Sequence, residues 1–267
     1  MRLEYGGRYC PRRPPSMMSN TLTAFEEMNR LIAAANDRSL LLRVLGGLAV
    51  KVHHKADHPA FQREFGDLDF VIAGKQRREF EAFMPAVGYA PHKQFNLLNG
   101  KDRQIYHHTE TEMKLDIFVD TFSMCHKIPL AGRLHLHPIT IPPAELLLTK
   151  AQIADLNRKD ALDIASLLLY VETGSSDENC INLTRIAQLC GADWGLYKTT
   201  SINLKRVEEV VSEESLALAE AERSLIKKRV GEILSAFESM PKSLAWQMRD
   251  KVGTRVRWYE EVEEVAR

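Results

Sequence analysis

The chain has 267 residues, with 36 Lys+Arg balancing 36 Asp+Glu and hydrophobic residues at 45%. That balance provides no bulk attraction to nucleic acid or to an anionic membrane surface, and no apolar run approaches the ~18–20 residues of a membrane-spanning helix. Four scattered cysteines, Cys10, Cys125, Cys180 and Cys190, form no C-x-x-C pair and read as reduced thiols of a cytoplasmic chain.

Residues 1–18 carry Arg, Gly and Pro without the apolar centre of a secretory signal, and read as a flexible leader, with Met17 or Met18 as alternative starts. A helix is expected from about residue 19, with Thr23 and Glu26 at capping-box spacing and Leu22, Phe25, Met28, Leu31 and Ile32 on its apolar stripe. Residues 40–45 read as a central strand, apolar on both faces. Gly46-Gly47 then turns the chain into a helix from Leu48 to about His54. After a loop, FGDLDFVI reads as a strand and KQRREFEAFMPAVG as a helix with Phe80, Phe83 and Met84 inward. Asn99-Gly100 between FNLL and RQIYHH is a hairpin signal. MKLDIFVD is a further strand, and LHLHPITI a short extended piece.

At Pro142-Pro143 the chain changes character. Pro143 suits the first turn of a helix, Asn157 caps the next, and beyond Gly174 almost everything reads helical. Two of these segments, 212–237 and 243–266, read as long helices. The expected organisation is a mixed α/β half over residues 19–142 and a helical domain over 143–267.

Three acids stand out. Asp67 and Asp69 are two apart in a strand, where such residues share a face, and Asp116 sits in a similar apolar setting. Paired carboxylates in a strand call for a positive partner, and a hard divalent cation held by oxygens is the natural candidate. Gly46 and Gly47 can bring backbone N–H groups close to phosphate, because no Cβ blocks the approach. Lys51, four residues after Gly47, is a further candidate phosphate contact, although a solvated lysine is the plainer reading.

In this order of parts, the chain resembles the nucleotidyltransferase superfamily with the DNA polymerase β-like core, and most closely its AbiEii-like, toxin-type branch. The resemblance covers roughly residues 38–170 and implies an α+β core with a mixed sheet, followed by an all-helical C-terminal domain. It implies Asp67, Asp69 and Asp116 as ligands of Mg2+ or Mn2+ and as catalytic acids. Gly46 and Gly47 become the nucleotide-binding turn. Lys150, in ELLLTKAQIADLNRKDALD, becomes a triphosphate contact supported by Asp160 and Asp163. The implied activity moves a nucleoside monophosphate from an NTP to a hydroxyl acceptor (tRNA, protein or small molecule), with an antitoxin-like protein as a possible partner. The 19-residue spacer between Gly47 and Asp67 is longer than usual in that family, and Gly47 stands where many members have Ser.

Plainer readings compete at several places. Asp120, before Thr121, suits a strand-end cap. His53-His54, His107-His108 and His135-x-His137 lack zinc-site spacing to further ligands. A degenerate fold acting as an interaction module, or a D-x-D glycosyltransferase, are the rival functions; the latter leaves Gly46-Gly47 and Asp116 without a role.

Overall fold

A computed structural model describes residues 23–66, 68–111 and 113–261. The expected leader, Leu22 and Asp67 lie outside the described residues. The first helix, α1 (Ala24–Asn36), opens on the expected capping box, in which the Thr23 hydroxyl accepts from the Glu26 N–H and the Glu26 carboxylate accepts from the Thr23 N–H at 2.8 Å. Its stripe buries Met28, Leu31 and Ile32, while Phe25 stays exposed.

From β1 (Leu42–Val44) the chain passes through Leu45 into α2 (Gly46–Val52), and a loop with a short turn at Pro59–Phe61 leads to β2 (Leu68–Ile72). Helix α3 (Arg77–Ala86) buries Phe80, Phe83 and Met84, as the periodicity requires. Then follow β3 (Tyr89–Pro91), α4 (Lys93–Asn99), β4 (Arg103–His108) and β5 (Lys114–Val119). The five strands lie in the order β1-β2-β5-β4-β3, with β2 and β5 parallel and the other neighbours antiparallel. A hairpin of β6 (Thr121–Ser123) and β7 (Lys127–Pro129) follows.

Three expectations in this half are corrected. β1 is the end strand of the five, not a central one; α1 packs on it, and its outer edge is closed by residues 139–141, where the Val44 N–H donates to the Ile139 carbonyl and the Ile141 N–H to the Val44 carbonyl. Asn99-Gly100 ends helix α4 instead of turning a hairpin, because both sides of β4 are already paired, to β3 and β5. Asn96 pins α4 to the sheet, accepting from the Ile105 N–H at 2.8 Å and donating to the Ile105 carbonyl at 3.1 Å. Within LHLHPITI only Thr140 makes a strand-like bridge, to Val44.

The second half holds α5 (Pro143–Ala151), α6 (Arg158–Tyr170), β8 (Glu172–Gly174), β9 (Cys180–Asn182), α7 (Leu183–Ala192), α8 (Trp194–Val211), α9 (Glu220–Ser239) and α10 (Leu244–Val252). The β8–β9 parallel ladder departs from the all-helical expectation. The long helices are also shorter than expected. Residues 212–219 separate α8 from α9, and α10 stops at Val252 before Gly253, whose φ of +62° leaves the helical region. One buried apolar cluster runs from Met28 in α1 to Phe237 in α9, and α2 packs against both α5 and α6. Glu145, fully buried in α5, accepts from Arg133 at 2.6 Å and Arg185 at 2.9 Å, which ties the chain after β7 and the start of α7 to one carboxylate. No helix among the described residues is long and apolar enough to cross a membrane.

His53, at the end of α2, lies 3.0 Å from the Thr140 hydroxyl and 5.2 Å from the His137 ring. Burial, with smaller contributions from His137 and His54, pushes it from the ordinary 6.5 down to about 4. The folded chain therefore binds fewer protons than the unfolded chain between those values, and stability falls as pH drops through the window. The limit is about 1.4 kcal/mol per pH unit for one such group. In urea unfolding from pH 7 to 4, wild type should lose stability more steeply than His53→Gln, by about 3 kcal/mol over the range. Parallel curves would show that His53 is not held neutral.

Candidate functional site

The site begins with strand register. Asp69 in β2 faces Asp116 in the parallel neighbour β5, so both side chains project from the same face of the sheet. The opposite face carries Leu68, Phe70, Ile72, Leu115, Ile117 and Val119, all buried. The Leu45 N–H donates to the Asp69 carbonyl at 3.0 Å, and the next residue, Gly46, takes φ +72°. A Cβ on Gly46 would lie 2.6 Å from Asp69 Oδ2. The glycine turn and this acid, 23 positions apart in the chain, thus form one piece of structure.

Neighbouring strands run about 5 Å apart, and two carboxylates at that spacing would repel by roughly 3 kcal/mol at an effective dielectric near 20. Asp116 is compensated by Arg103 at the start of β4, on the other side of β5. Its Nε donates to Asp116 Oδ1 at 2.7 Å and its Nη2 to Asp116 Oδ2, a planar two-point grip. The hydrogen bond to Asp116 raises the guanidinium's pKa against the opposing effect of burial, and the charges of Asp116 and Asp69 add to the rise. The guanidinium lies 5.3 Å from the centre of the Phe118 ring and 5.9 Å from that of Phe95. Sequence reasoning missed Arg103. Its only signal was a charged residue opening a strand whose place beside β5 was unknown.

A second group of charges surrounds Gly47. A Cβ there would overlap the guanidinium of Arg63, which donates to Asp163 at 2.8 Å and stacks on Phe65 with 4.5 Å to the ring centre. Lys150 joins the same network, with its ammonium 2.7 Å from Asp160 and 2.9 Å from Asp163. These pairs raise its pKa although burial, the largest single influence, works against them. Asn157 caps α6 by accepting from the Asp160 N–H, which orients the helix turn that presents both acids. Gly47, Arg63, Phe65 and Asp163 line a cavity of about 270 Å³ together with Phe61 and Lys159.

Lys51 belongs to a helix that starts at Gly46, two residues before the expected Leu48. It sits in the last turn of α2, not the first, and its ammonium pairs with Asp57. Asp120 is a structural residue, as its plainer reading held. It takes φ +58° after β5 and its carboxylate accepts from the Gly74 N–H at 2.9 Å.

The donor chemistry of Asp69 and Asp116 suits a hard divalent cation, since both offer carboxylate oxygens on one face. Arg103 competes for the second of them. Among the described residues no three His, Cys, Asp or Glu side chains gather as a metal site, and Asp67 is outside that set.

No family model and no curated protein matches the chain. Among solved structures, it is similar to the crystal structure of an antigenic nucleotidyltransferase-like protein from Paracoccidioides brasiliensis, at 15% identity and a TM-score of 0.37, over 66% of this chain and 91% of that one. So distant a likeness carries no chemistry across, and the functional reading stands on the site itself.

The two glycines should respond differently to substitution. Gly46→Ala puts a Cβ at positive φ and against a carboxylate, and should cost more than about 2 kcal/mol in urea unfolding. Gly47→Ala keeps an ordinary backbone but pushes Arg63 away from Asp163 and crowds Phe65 at 3.3 Å, so it should cost about 1–2 kcal/mol, a cost that shrinks in an Arg63→Ala background. Equal costs would contradict the close fit of Gly46 to Asp69.

Proposed function

We propose that the chain is a nucleotidyltransferase that moves a nucleoside monophosphate from an NTP to a hydroxyl acceptor and releases pyrophosphate. The observation that carries this reading is the register of Asp69 and Asp116 beside the left-handed turn at Gly46, which brings three distant stretches of sequence into one place. In this reading Asp67, Asp69 and Asp116 would hold Mg2+ or Mn2+, which when bound neutralises phosphate charge and makes an attacking hydroxyl more acidic. Gly46 and Gly47 would let the triphosphate approach the backbone closely. Lys150 and Arg63, which share Asp163, would stabilise the charge on departing pyrophosphate. Asp116, freed from Arg103, would accept the proton of the acceptor hydroxyl.

The acceptor would be a hydroxyl of tRNA, of a protein side chain or of a small molecule. The balanced charge of the chain does not favour RNA among them. An AbiEii-like role beside an antitoxin-like protein, in the cytoplasm, belongs to the same proposal and rests on the motif resemblance alone. One observation favours a second reading, a degenerate fold that serves as an interaction module: Arg103 already grips both oxygens of Asp116.

Thermal melting separates the two. At a concentration of Mg2+–NTP near 100 times its dissociation constant, wild type should gain about 5 °C, and Asp69→Asn and Asp116→Asn should lose most of that gain. Labelled NTPs incubated with cell extract should then mark an RNA fraction, a protein band or a small molecule. Equal melting in wild type and both variants, with no label transferred, would discard transfer in favour of the module.

A further inference from the structure

We propose that Arg103 is a latch on Asp116: its guanidinium is the resident counter-cation of that carboxylate, which stands beside Asp69 on the paired strand, and a divalent ion reaches Asp116 only by displacing it. The identity of the incoming ion rests on the nucleotidyl-transfer reading; the latch itself rests on three features of the fold.

The first is register. Asp69 and Asp116 are set opposite each other by the parallel β2–β5 ladder, so their backbones cannot separate without breaking its pairing. A positive charge beside Asp116 eases their repulsion whether or not a metal is present. The second is the direction of approach. Arg103 lies opposite Phe118 in the antiparallel β4–β5 ladder, one diagonal step from Asp116, and reaches it across the sheet face. Its fork takes an oxygen lone pair from each side of the carboxylate, and a divalent ion placed beside it would meet a second full positive charge. Ion and guanidinium therefore compete at Asp116, through the repulsion of two cations and not through a lack of lone pairs.

The third feature is how Arg103 is held. The Arg133–Glu145 pair is stapled on several sides: Arg133 also reaches Asp177, and Glu145 is shared with Arg185. Arg103 instead has its fork on Asp116 and otherwise lies near the faces of Phe95 and Phe118. Its side chain keeps 23% of its surface open to solvent, so it can leave without unpacking the core. Once released, it stands next to the site as a planar cation suited to a phosphate that arrives with the ion.

The test titrates Mn2+ alone into the full chain and follows free Mn2+ by electron paramagnetic resonance, for wild type, Arg103→Gln and Arg103→Lys. Arg103→Gln should bind Mn2+ at least tenfold more tightly than wild type, and Arg103→Lys should fall between, since it keeps the charge but gives up the fork. Adding Asp69→Asn to Arg103→Gln should abolish the gain. The latch is overturned if wild type and Arg103→Gln bind alike, if neither binds, or if the gain survives Asp69→Asn. Circular dichroism checks folding, and should Arg103→Gln not fold, Arg103→Lys against wild type decides, with equal affinities overturning the latch. A second titration adds α,β-methylene analogues of the four NTPs in turn. A Mn2+ gain in Arg103→Gln with no nucleotide effect in any form keeps the latch and overturns the transfer reading. Nucleotide-dependent binding in wild type with no gain in Arg103→Gln overturns the latch alone.

Discussion

Two carboxylates are fixed side by side by the pairing of two parallel strands, and much of this end of the molecule answers to that constraint. The β2–β5 ladder sets Asp69 against Asp116 through backbone hydrogen bonds that side-chain repulsion cannot shift. The glycine at position 46 follows from it, since any larger residue would press on Asp69. So does the presence of Arg103 on the neighbouring strand, because like charges at this distance need a cation between or beside them.

Charge pairing also joins the two halves of the chain. Arg63, from the loop before β2, reaches Asp163 on α6, and Lys150 on α5 reaches the same carboxylate. The Gly47 turn is thereby linked through Arg63 to the helices that follow the sheet. Partly buried ion pairs of this kind add little net stability, but removing one partner leaves the other uncompensated, so they fix position more than they add strength. Glu145 plays the corresponding part on the other side of α5, with two arginines converging on a carboxylate that has no exposure at all.

What could be read in advance followed from local rules. The Thr23–Glu26 box, the Pro143 start of α5 and the Asn157 cap are each decided within a few residues, and the inward faces of α3 and, apart from the exposed Phe25, of α1 follow from period. Errors came where a local signal was ambiguous. Asn-Gly closes hairpins and also ends helices, and the choice at Asn99-Gly100 fell to the helix because β4 had no free side for another strand. A strand apolar on both faces suggests the middle of a sheet, yet β1 is at its end, covered by a segment almost a hundred positions later. Residues 212–219 have helix-compatible composition, and nothing local announced the break that divides α8 from α9.

The candidate site divides along the same line. By itself the sequence determined that an apolar strand, a Gly-Gly bend and acids in two further strands belong to this chain, because spacing and alternation state which side chains share a face. Only the tertiary structure decided that Asp69 meets Asp116, that Arg103 pairs with Asp116 and which carboxylate each lysine finds. Lys51 turned to Asp57, and Arg103 and Arg63 arrived at the acids and at Gly47 from strand and loop positions with no motif of their own. The physical reason is that a counter-charge acts through space: any arginine the fold brings within hydrogen-bonding distance will serve, wherever it lies along the chain.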